Sequence, residues 1–169
     1  LSFFLFMDIP ENINTNSKIL VINLSALGDL ISSKVVIDNI LKKSDKIYLL
    51  TRESFKSLFE DENNIILIKE EEVNNEKWDF VVDLSASKNS RRVINKIKNG
   101  YKIGMANNII LYLKCMFLYN KILPKKKYGN IVLDFYPMAE LFGTTKELYP
   151  IFNKGKIEEV IKKEIIRDN

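Results

Sequence analysis

Lys18 to Asp29 reads KILVINLSALGD, and the rest of the chain is understood from this stretch. Ile19, Leu20, Val21, Ile22 and Leu24 make a short, nearly continuous apolar run, the pattern of a parallel strand covered by helices on both faces. The run passes directly into a Ser-Ala-Leu-Gly-Asp turn. From Leu30 to Lys43 the apolar positions Leu30, Ile31, Val35, Val36, Ile40 and Leu41 change to helical spacing. A carboxylate at the mouth of a strand-to-helix turn lies where open α/β sheets place ligands, outside the carboxyl ends of their strands. Asp29 is therefore the first candidate functional residue, with Ser25 and Gly28 beside it. Plainer roles exist for two of them: Asp29 as the N-cap of the helix and Gly28 as a turn residue at positive φ.

The alternation repeats along the chain. Lys46–Thr51 reads as a strand, Ser54–Glu60 as a helix and Asn64–Ile68 as a strand. An acidic loop over Lys69–Lys77 leads to a buried strand at Trp78–Leu84, a basic helix at Arg91–Lys98 and a short strand at Tyr101–Gly104. Strands separated by helical segments imply right-handed βαβ crossovers and a Rossmann-like, doubly wound parallel sheet in the α/β class. Asn108–Leu118 and Ile131–Phe142 read as further helices, with Gly143 placed as a C-cap. Lys156–Ile166 is amphipathic, with Ile157, Val160, Ile161 and Ile165 on one side. The expected organisation is a loosely packed or disordered lead-in over residues 1–17, apolar to Met7 and polar from Asp8, a Rossmann-like domain over 18–150 and a linker helix over 151–169.

The 169 residues suffice for one core, and 46% hydrophobic content is ordinary for a globular domain. The net charge of +4 is read as a background of lysine and asparagine, with Lys125-Lys126-Lys127 as a solvated loop, so no nucleic-acid partner is expected. Cys115 is the only cysteine and histidine is absent, which rules out an intramolecular disulfide and imidazole catalysis. No zinc or other metal site is expected either. Proton transfer then falls to carboxylates, Lys, Tyr or water. No signal-type leader or membrane-length apolar run is seen, and a cytoplasmic protein is expected.

The first turn carries one glycine, whereas a dinucleotide fingerprint needs several and a Walker loop ends in Gly-Lys-Ser/Thr. A nucleotide held by the usual Rossmann means is therefore not expected. After the fourth strand, Lys88, Arg91 and Arg92 offer cations for phosphate or carboxylate groups, with a solvated helix face as the plainer reading. Asp83 reads as a strand-end residue bonding nearby backbone, and Trp78 as core or edge packing.

Taken together, Ile19 to Asp29 resembles the N-terminal signature of glycosyltransferase family 9, the ADP-heptose:lipopolysaccharide heptosyltransferases. LLTRESFKSLFEDENNIILI (Leu49–Ile68), WDFVVDLSASKNS (Trp78–Ser90) and YKIGM (Tyr101–Met105) resemble later family segments in the right order. After Leu84 the family often has Gln-Gly where this chain has Ser85-Ala86. The resemblance implies the N-terminal, acceptor-binding half of a GT-B glycosyltransferase. It implies inverting, metal-independent transfer of a sugar such as heptose to a lipopolysaccharide-core or related glycan acceptor. Asp29 matches the general base, and Ser25, Gly28, Lys88 and Arg91 are the implied acceptor contacts. No cofactor is implied. The donor, a nucleotide sugar such as ADP-heptose, is held mainly by a C-terminal domain that this chain is expected to lack, leaving it inactive alone. Implied partners are a glycan or glycolipid acceptor and a separately encoded donor domain, with peripheral contact at the inner face of the cytoplasmic membrane as the most membrane association expected. The alternatives are a non-catalytic acceptor-binding or partner module and, less well matched, a flavodoxin-like or receiver-like regulator.

Overall fold

A computed structural model describes residues 13–125, 133–143 and 154–167. Six strands form one parallel sheet: β1 (Ile19–Asn23), β2 (Ile47–Thr51), β3 (Ile65–Leu67), β4 (Phe80–Asp83), β5 (Tyr101–Ala106) and β6 (Lys121–Pro124). Their order is β3-β2-β1-β4-β5-β6. This is the doubly wound arrangement expected from the sequence, with its switch point between β1 and β4.

The apolar run of β1 is continuous because both of its faces are covered. Ile19 and Val21 point into one core, with α1 (Leu27–Leu41) and α4 (Tyr136–Phe142), while Leu20 and Ile22 point into a second core beneath α2 (Lys88–Lys96) and α3 (Ile109–Cys115). All four are fully buried, as alternation along a central strand requires. Trp78 is buried in the second core, where its Nε1 donates to Val73 O at 2.9 Å; the packing reading is right. α5 (Lys154–Arg167) lies on the first side, where Val160 joins Phe55 and Leu58 in the core and Lys156 pairs with Asp61.

Several expectations are revised. Residues 53–58 form a 3-10 helix rather than an α-helix, and a short 3-10 turn at Val73–Asn75 interrupts the acidic loop. β6 was not anticipated, because KILP holds too few apolar residues to stand out. The helix expected over 131–142 has a 3-10 turn at Leu133–Phe135 before α4, which ends at Gly143 as expected. Ile161 is exposed rather than aligned with Val160 in the core. Most of the lead-in, Lys126, Lys127 and residues 144–153 lie outside the described residues, as does the side chain of Ile165.

Candidate functional site

The switch-point edge is assembled from the residue that ends β1. Asn23 is fully buried; its Oδ1 accepts the Ser25 N–H at 3.1 Å and its Nδ2 donates to Ser33 Oγ at 2.7 Å. One amide thus clamps the turn to α1. The Leu24 N–H donates to Ser85 Oγ at 2.9 Å, joining the exit of β1 to the exit of β4, and Arg52 Nε donates to Leu24 O. Ser25 is held half-buried between these ties.

α1 begins earlier than its spacing suggests. Ala26 is the N-cap, in extended conformation and without a side-chain cap, so Gly28 and Asp29 are already helical. Asp29 is therefore not the cap, although its carboxylate in the first turn still favours the helix dipole. Gly28 does not have positive φ. Among the described residues, a Cβ placed on it meets no atom within 4 Å, so they leave the space over this turn open.

Asp29 is one-third exposed, and its carboxylate meets Lys125, whose Nζ stands 3.4 Å from Oδ1. Lys125 follows β6, its N–H donates to Ala106 O at 2.8 Å, and its ammonium lies 4.6 Å from the centroid of the fully buried Phe135 ring. The fold thus draws Lys125 out of the solvated cluster expected for it and seats it on an aromatic face beside a carboxylate. Among the described residues, no other group bonds the Asp29 carboxylate.

The neighbouring exit, from β4, is closed. Asp83 is fully buried; Oδ1 accepts the N–H groups of Ser85 and Ala86 at 2.9 and 3.2 Å, and Oδ2 accepts the Tyr119 hydroxyl at 2.6 Å. Burial pushes the Asp83 carboxyl above its ordinary value against the pull of these donors. Burial first, and then the Asp83 charge, push the Tyr119 phenol upward as well. Tyr119 reaches this position because Gly104 lies beneath its ring: a Cβ there would stand 2.6 Å from Cε1. Asp83 bonds nearby backbone, as expected, and is in addition part of a buried network.

The expected cations are placed differently. Arg91 Nη1 donates to Ala86 O at 2.7 Å and so braces the loop after β4. Lys88 opens α2 and is exposed, while Arg92 pairs with Glu70. The cation at Asp29 is Lys125, and neither Lys88 nor Arg91 takes that place. Ala86 has φ +49°, a left-handed conformation at the point where the family resemblance expects glycine. Along the same edge, a cavity of about 410 Å³ opens between Leu24, Thr51, Lys56, Ile68, Lys69 and Glu71. Among the described residues, no cluster of His, Cys, Asp and Glu has the makings of a metal site.

This sheet order defines an α/β domain with Asp29 beside its switch point, the edge at which open sheets of this kind place ligands. No protein-family model matches the chain, and no curated protein matches it. Solved structures do. A glycosyl transferase of family 9 from Veillonella parvula aligns at TM-score 0.63 and 18% identity, over 79% of this chain and 43% of that one. E. coli heptosyltransferase WaaC with ADP-2-deoxy-2-fluoro heptose aligns at 0.59 and 17%, over 74% and 47%. E. coli ADP-heptose lps heptosyltransferase II aligns at 0.58 and 16%, over 87% and 50%. The fold is that of GT-B glycosyltransferases of this family, and the chain spans about half the length of the structures it matches.

Proposed function

We propose that this chain is the acceptor-binding half of a heptosyltransferase-like glycosyltransferase, with Asp29 as its general base. In the reaction, an acceptor hydroxyl oxygen bonds to the anomeric carbon of a nucleotide sugar as the bond from that carbon to the diphosphate oxygen breaks. The hydroxyl proton passes to Asp29, the nucleoside diphosphate departs with its electron pair, and the anomeric centre inverts. One observation carries the reading: at the switch point of a sheet with this fold, Asp29 offers a carboxylate engaged only by Lys125 among the described residues, next to open space over Gly28. Lys125 fixes the direction of Oδ1 and leaves Oδ2 for the acceptor. Ser25 lies within the same turn for contact with the acceptor, and Lys88 would meet its anionic groups from the start of α2, beside the loop that Arg91 braces.

The donor nucleotide sugar would be held mainly by a second domain. The test joins the chain to a heptosyltransferase donor domain and follows transfer from ADP-heptose to a lipopolysaccharide-core acceptor. Transfer with inversion is the expected result, and a folded two-domain protein that binds ADP-heptose but transfers nothing to any core acceptor would overturn the proposal.

A further inference from the structure

The outer face of α3 is the strongest feature that the Asp29 site leaves unexplained. Ile109, Ile110, Leu113, Met116 and Phe117 follow one another at helical spacing, and all are exposed, Phe117 by 93%. The opposite face, with Leu111 and Cys115, is packed into the second core. A helix apolar on both faces is ordinarily buried on both.

The surrounding charge says what covers the outer face. Residues 84–133 contain eleven Lys and Arg and no Asp or Glu, in a chain whose net charge is only +4. The remainder is therefore net acidic, and the basicity is concentrated rather than general. This segment holds α2, β5, α3 and β6. Lys114 is exposed on α3 itself; α2, in the same layer, exposes Lys88, Arg92 and Lys96, the last two sharing the single carboxylate of Glu70, and Lys98 is exposed just after it. Arg91 is close enough to Cys115 and Tyr119 to act electrostatically on both, which sets the basic helix against the apolar one.

A second copy of the chain bound through this face would bring two predominantly basic surfaces together, because a two-fold contact presents the same patch from each side. An anionic bilayer surface has complementary charge and an apolar layer beneath it. We propose that the α3 face docks peripherally on anionic phospholipid, with Ile109, Ile110, Leu113, Met116 and Phe117 entering the acyl boundary and the lysines and arginines of α2 and α3 meeting headgroup phosphates. At seven residues α3 lies on the surface rather than crossing it, and among the described residues no helix is long and apolar enough to cross a membrane. The docking does not depend on transferase activity.

The experiment is flotation of the whole chain with vesicles of phosphatidylcholine alone or of equimolar phosphatidylcholine and phosphatidylglycerol, at low and high salt. Binding at least about tenfold tighter to the anionic vesicles is expected, with most of that preference lost in high salt. A variant carrying Leu113→Ser and Phe117→Ser is expected to bind about tenfold more weakly with unchanged melting, since both side chains are exposed. Lys114→Glu is expected to weaken binding about fivefold. Absence of binding to anionic vesicles, equal binding to both compositions, or full binding by the Leu113/Phe117 variant would each overturn the proposal. So would sedimentation showing a dimer that the same variant dissociates, in a chain that ignores lipid.

Discussion

Asp29 and Asp83 stand at the exits of adjacent central strands, each the acidic residue nearest a strand end, and their surroundings are opposite. Asp83 is sealed under Tyr119 and is fed by two backbone N–H groups and one hydroxyl. Asp29 is one-third exposed and meets one lysine ammonium across 3.4 Å. A carboxylate surrounded by fixed donors holds a loop in place, whereas one with an open oxygen is able to accept a proton from a ligand. The contrast gives β4's exit a structural role and leaves β1's exit as the place for the proposed chemistry.

The largest stability effect expected is at the closed site. Asp83→Ala strands the Tyr119 hydroxyl and two backbone donors, and chemical unfolding is expected to show a loss of about 3 kcal/mol. Tyr119→Phe, which removes one donor, and Gly104→Ala, which pushes the ring away, are each expected to cost about 2 kcal/mol in the same measurement. An Asp83→Ala protein as stable as the parent would erase the contrast.

A pH series sharpens it. Because folding raises the Asp83 carboxyl above its unfolded value, its stabilising contribution is full below about pH 3.9 and is lost as pH rises through the higher folded value. Unfolding free energies of the parent minus those of Asp83→Asn are therefore expected to fall as pH increases from about 4. A difference that rises with pH would reverse the assignment. Smallest of all, Ala86→Gly relieves a left-handed alanine at the cost of a looser unfolded chain, for a net gain of about 0.5 kcal/mol in stability.

The fold was legible where burial on two faces writes an unbroken apolar run, as in β1 and in Val81-Val82 of β4. β6 escaped notice because an edge strand needs less apolar surface, and Lys121–Pro124 offers only Ile122 and Leu123 in its interior. The start of α1 was displaced because Gly28-Asp29 looks like a turn and a cap, while the cap that forms is Ala26, which has no side chain to announce it. Within the site, Asp29 was visible from its position after the strand. Lys125 was not, since its neighbours in sequence are lysines and its partner is 96 residues away. Tyr119 and Gly104 were likewise readable only once β5 and α3 were packed together. Arg91, expected at an acceptor, is turned towards its own loop by the Ala86 carbonyl.

Asp29→Asn in a two-domain protein tests the assignment most directly, with turnover and melting measured on the same preparation. The account predicts that turnover falls by a factor on the order of 100 or more while melting stays close to that of the parent. Near-normal turnover with an intact fold would contradict it.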